Sequence, residues 1–172
     1  MTRTTRLTLL VLLALAAFWP AGAGASSPAP AVPAGNKLFL VAHATGVQIY
    51  ACTAAGWVLT GPRANLYGDN GKLVATHFAG PTWQANDGSS VVGRAIAKVT
   101  VDPTAVPWLL LERVSSASGE GDRLTETTYV QRLNTTGGLA PAGACAPGAA
   151  AEIPYTADYA FWKASGPDKE NA

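Results

Sequence analysis

From Lys37 to about residue 165 the chain is built of short runs in which apolar and polar residues alternate, broken by Gly, Asn, Asp and Pro. Alternation with a period of two sends successive side chains to opposite faces of a strand, and no long stretch carries apolar residues at helical spacing. The pattern predicts an all-β domain, either an antiparallel β-sandwich or a closed β-barrel. In "TGVQIYAC", Val47 and Ile49 share one face, and Gln48, Tyr50 and Cys52 the other; "GWVLT" follows closely enough to form a hairpin across residues 54–56. "SVVGRAIAKVTV" sets Val91, Ala95, Ala97, Val99 and Val101 against Arg94, Lys98 and Thr100, one face dry and one wet. "PWLLLERV" is apolar on both faces and belongs in the middle of the fold. "TTYVQRL" and "YTADYAFW" supply further strands, the second carrying Tyr155, Ala157, Tyr159 and Phe161 on one side.

The stretch "THFAGPTWQANDGSSVVG" joins one of the chain's two histidines to a Gly-Pro break, a tryptophan and an Asp-Gly turn. Just before it, Asn70-Gly71 signals a hairpin. A two-residue loop pairs Leu66 with Ala75 and Ala64 with His77; a four-residue loop pairs Leu66 with Leu73 and Pro62 with His77. Either register puts Leu66, Leu73, Ala75 and His77 on one face, so His77 is expected to point inward at the end of its strand. A buried imidazole needs a hydrogen-bond partner: a backbone carbonyl, Asp87 or a ligand. Pro81 ends the strand because it has no N–H for the ladder. The Asp87-Gly88 turn leaves Trp83 with two placements, inside beside Val91 or outside stacked on Arg94.

The N-terminus changes the domain boundaries. Arg3 and Arg6, an apolar run from Leu7 to Trp19 and the small residues Ala23-Gly24-Ala25 read as a signal peptide over 1–25, too short to span a bilayer. A Pro- and Ala-rich linker is expected over 26–36, the all-β domain over 37–165 and a flexible tail over 166–172. The expected location is secreted, periplasmic or at the cell envelope. Without the two leader arginines, ten of the twelve basic residues face eleven acidic ones, a net charge of −1. That balance offers no surface for nucleic acid. Cys52 and Cys145 form an even pair in an exported chain and are expected to be joined by a disulfide.

Candidate chemistry is sparse. Zinc sites draw on three or four His, Cys or acidic ligands, whereas the histidines here are isolated and the cysteines paired, so no metal or cofactor is expected. "GSSVVG" is not a G-x-S-x-G nucleophile elbow. A carboxylate pair could be drawn from Asp69, Asp87, Asp102, Glu112, Glu126 and Asp158, but spacing selects none. Trp57, Tyr67, Trp83 and Trp108 are either core or a platform for a small molecule or glycan.

"GVQIYAC", "HFAGPTWQANDGSSVVG", "PWLLL", "YVQRLNTTGGLAP", "GAC" and "PYTADYAFW", in this order from about Ala42 to Trp162, resemble an exported bacterial and fungal family, domain of unknown function 3455. The resemblance implies a single secreted domain and no established activity. Fungal members sometimes carry a malate dehydrogenase label. That label fails here, because neither Gly22-Ala-Gly24 nor Gly119-Glu-Gly121 has the third glycine and following helix that a dinucleotide site requires. The expected function is a non-enzymatic binding or surface module with a site near His77, Trp83, Asp87 and Arg94. The alternatives are a small hydrolase or metal-assisted enzyme using His77 with a carboxylate, and a structural envelope protein without a ligand.

Overall fold

The computed structural model describes residues 29–166, so the expected signal peptide over 1–25, the start of the expected linker and residues 167–172 lie outside the described region. Eight antiparallel strands close into one barrel in sequence order: β1 (Asn36–Thr53), β2 (Gly56–Tyr67), β3 (Leu73–Phe78), β4 (Thr82–Ala85), β5 (Ser90–Val99), β6 (Trp108–Ala117), β7 (Thr127–Gly137) and β8 (Ala150–Ala164). Of the two expected architectures, the barrel is the one formed. The ring is closed by β1, which pairs with β8 from Asn36↔Ala164 to Ala51↔Ala150, so neither terminal strand is left as a free edge.

Alternation decides the interior. Ala42, Ala44, Gln48, Tyr50 and Cys52 of β1, Leu66 of β2, Trp83 of β4 and Tyr155, Ala157, Tyr159 and Phe161 of β8 are all buried. Small residues lie beside large ones across the ladder, with Ala42 opposite Tyr159 and Gly46 opposite Tyr155, which lets the aromatic rings occupy a narrow barrel. Gly46 is required by close approach: a Cβ there would stand 2.2 Å from the Arg63 carbonyl oxygen.

The end holding both terminal strand ends is stoppered by Leu124, which is fully buried. Its loop is fastened by Asp87, whose carboxylate accepts from Ser89 Oγ at 2.6 Å and from the Arg123 amide at 3.0 Å, while the Asp87 carbonyl accepts from the Glu120 amide at 2.7 Å. Ser89 Oγ in turn accepts from the Leu124 amide at 3.1 Å. At the other end the loop between β5 and β6 folds inward through Val106, and Tyr50 donates its hydroxyl to the Gly138 carbonyl. The long Gly-, Ala- and Pro-rich loop between β7 and β8 is tethered there by the Cys52–Cys145 disulfide.

The β2–β3 pairing is Leu66↔Ala75 and Ala64↔His77, the register of a two-residue loop, although the connection spans 68–72. A bulge at Val74, where the partner of Tyr67 becomes Leu73, absorbs the extra residue. It also corrects one expectation: Leu73 is turned out and is 41% exposed instead of joining Ala75 and His77 inside. Within the expected linker, Pro30 is buried and its carbonyl accepts from Gln131 Nε2 at 2.7 Å, with Gln131 held from the other side by Trp162 Nε1. This arm covers the outer side of the wall, where Leu110 and Ala160 flank Gln131 in the ladder. The second apolar face of "PWLLLERV" thus lies in a part of the wall that is covered rather than wet.

Candidate functional site

The β3–β4 hairpin is far shorter than its surroundings, with six and four residues against twelve in β2 and ten in β5. Where the hairpin stops at Gly80-Pro81, β2 and β5 run on without a partner between them, and the wall opens. Behind this window lies a cavity of about 390 Å3 reaching across the barrel to Gln48, Arg132 and Tyr159.

Its inner wall is an aromatic cluster set by cross-strand pairing. His77 and Trp83 are opposite each other on β3 and β4, and their rings stack at 4.4 Å with an interplanar angle of 4°. Tyr159 meets both edge-on, at 5.0 Å from His77 and 5.4 Å from Trp83. Gly93 makes room for the indole, since a Cβ there would lie 3.1 Å from Trp83 Cζ3 and 3.2 Å from Leu111 Cβ.

His77 is buried and its Nδ1 is 2.8 Å from the Thr82 carbonyl oxygen. A carbonyl only accepts, so Nδ1 carries the proton and Nε2 is left as an acceptor. Burial pushes the pKa of His77 down to about 3, against the smaller opposing effect of the Thr82 bond, and the Arg132 charge pushes the same way as burial. The imidazole is therefore neutral across the physiological range.

Two donors on residues that line the chamber have no partner among the described residues. Trp83 Nε1 and Gln48 Nε2 are buried without an acceptor in hydrogen-bond geometry, although Gln48 stands beside Tyr155. Arg132 also lines the cavity, held by two bonds from Nε and Nη2 to the Pro107 carbonyl at 3.1 and 2.8 Å. Burial raises the pKa values of Tyr155 and Tyr159, so their hydroxyls, 3.4 Å apart, stay protonated.

Of the residues singled out in the sequence, His77, Trp83 and Arg94 line this one cavity. Trp83 takes the inner of its two placements, opposite Val91 and fully buried, so it does not stack on Arg94. Arg94 sits at the rim and pairs with Glu112. Asp87 lies beyond the far end of β4 and serves the Leu124 stopper. Among the described residues the cavity lining contains no acidic side chain, so none of them brings a carboxylate to His77 there. Sequence reasoning did not single out Gln48 and Arg132 as site residues. Their signal was the alternation itself: Gln48 shares a face with Tyr50 and Cys52, and Arg132 lies two residues from the inward Val130.

On the outside, His43 bridges two of the candidate carboxylates, with Nδ1 2.7 Å from Asp158 Oδ1 and Nε2 2.9 Å from Asp69 Oδ1. These bonds raise its pKa, Asp69 contributing first and Asp158 second. The acids sit on opposite ring nitrogens and do not converge on one point. Among the described residues no group of three or more His, Cys, Asp or Glu is placed to hold a metal ion, and no helix is long and apolar enough to cross a membrane.

Fold and cavity together define an eight-stranded antiparallel barrel with a chamber opening through its side. The chain belongs to the family described as protein of unknown function DUF3455, whose model matches residues 33–163. No curated protein and no solved structure matches it.

Proposed function

We propose that this protein is an exported, non-enzymatic binding module that holds a small molecule in the barrel cavity. The observation that carries this reading is the pair of orphaned donors, Gln48 Nε2 and Trp83 Nε1, buried at a cavity of about 390 Å3. A buried donor without an acceptor costs about 1 to 3 kcal/mol, and nearly all such groups in folded proteins are satisfied. Two of them on residues that line one chamber of ligand size fit a site that a bound molecule completes. Proton-transfer chemistry has less support, because His77 is fixed to a backbone carbonyl and the chamber offers it no carboxylate.

Native mass spectrometry of protein purified from its own host under non-denaturing conditions tests this. The expected spectrum holds a small-molecule adduct that Gln48→Leu with Trp83→Phe removes, on a chain beginning near Ser26. A chain carrying no adduct, with no ligand-induced rise in melting temperature across a metabolite library, would leave the structural reading in its place.

A further inference from the structure

We propose that the cavity selects a small monocarboxylate with an apolar body, its carboxylate held by Arg132 together with Gln48 and Trp83. This rests on the binding reading above and names the class of ligand.

Apart from the His77 Nε2 acceptor, the unmet hydrogen-bonding capacity on this wall is that of donors. Gln48 Nε2 and Trp83 Nε1 are both N–H groups that need an acceptor. Arg132 gives Nε and Nη2 to a single backbone carbonyl and forms no ion pair with any described residue. The Arg132 guanidinium is half-buried and has no counter-charge among the described residues, and a ligand anion would supply one while accepting hydrogen bonds from the two neutral donors. The planar fork of Arg matches a carboxylate. The other cationic side chain at the cavity, Arg94, is already neutralised by Glu112. One unpaired positive charge calls for one negative charge, and a dianion would leave a surplus in a largely apolar chamber.

The remaining wall sets the body of the ligand. Leu59, Pro62, Pro81, Leu109 and Leu111 line the path from window to chamber and offer no side-chain hydrogen bonds. At about 30 Å3 per water-sized group, the cavity volume of about 390 Å3 admits roughly a dozen non-hydrogen atoms. An aliphatic or aromatic acid of about eight carbons fits that space.

The test compares octanoate, octan-1-ol, octylammonium and inorganic phosphate on the mature full-length protein, by titration calorimetry and thermal unfolding. Octanoate is expected to bind and to raise the melting temperature, with octanol at least about tenfold weaker and octylammonium and phosphate inert. Arg132→Gln is expected to abolish the preference for octanoate over octanol. Because Arg132 also braces Pro107, Trp83→Phe provides a second route: it keeps the aromatic face, removes the N–H and should weaken octanoate several-fold while leaving octanol unchanged. Octanol binding as tightly as octanoate would overturn the carboxylate assignment yet leave the binding function standing. Phosphate displacing octanoate at equal concentration would also overturn it, as would failure of all four probes, and the native mass spectrum then decides separately whether the chamber carries anything else.

Discussion

Lowering the pH from 6.5 to about 4.5 drives protonation of histidine in the unfolded chain, while His77 in the folded barrel resists it because its pKa is held down at about 3. A histidine whose folded pKa is depressed contributes stability above its unfolded pKa and loses it as pH falls. The loss therefore begins near pH 6.5 and continues to about 3. Each pH unit in that window costs up to about 1.4 kcal/mol, so at about pH 4.5 the folded state has lost roughly 3 kcal/mol, a large share of the 5 to 15 kcal/mol typical of a domain. His43 acts in the opposite sense and in a different window. Its raised pKa adds stability that is complete below 6.5 and fades as pH rises through the folded value. Asp87, Asp102 and Glu126, all with lowered pKa values, lose their contributions mainly below pH 4.5. Stability should therefore peak near pH 6.5, with an acid limb set by His77 and an alkaline limb by His43. Urea unfolding followed by far-UV circular dichroism at half-unit pH steps measures both limbs. His77→Phe keeps an aromatic ring against Trp83 and Tyr159 but cannot titrate, so its stability should be nearly flat between pH 6.5 and 4.5. If that variant lost stability with the same slope as the wild type, the burial of His77 would not be what governs acid unfolding.

Three further perturbations have defined outcomes. Gly93→Ala drives a methyl group against Trp83 and Leu111 and should cost about 1 to 3 kcal/mol, read as a drop in melting temperature together with a change in tryptophan fluorescence. Replacing Cys52 and Cys145 by Ser removes a link across a sequence separation of 93 residues, for which loop-closure entropy gives about 4 to 5 kcal/mol in denaturant unfolding. Ser89→Ala deletes the hydroxyl that joins Asp87 to the Leu124 amide and should cost about 1 to 3 kcal/mol, with faster amide exchange confined to residues 118–126.

Much of the barrel was legible in alternation. The inward face of β8, from Tyr155 to Phe161, and the inward turn of His77 are both seen in the structure, because a side chain's face follows from position along a strand. Barrel and sandwich share that alternation, and only the long-range β1–β8 pairing separates them. Leu73 was misplaced because a bulge is one residue of backbone geometry with no compositional mark here. Arg94 was rightly set apart from Val91 by parity, yet parity could not show that an outward residue at a gap in the wall reaches the cavity rim. Arg132 and Gln48 illustrate a different limit. Each lies on an inward face by parity, but a polar residue there reads as an exception until the strands around it show that the space it points toward is unfilled. The His43 bridge joins residues 26 and 115 positions apart and has no local signature.

The seam between β1 and β8 has a consequence for how the molecule assembles. The most extensive ladder in the barrel joins the first strand to the last, and even beyond it the Ser165 amide donates to the Gly35 carbonyl at 2.8 Å. Contacts of such high sequence separation form late and slowly, since the chain must first surrender the entropy of its longest loop. Until β8 docks, the remaining strands are an open curved sheet with two bare edges and an unroofed interior. The chamber is thus complete only once β8 has docked, and a chain waiting for its final strand is a sticky sheet that has yet to become a vessel.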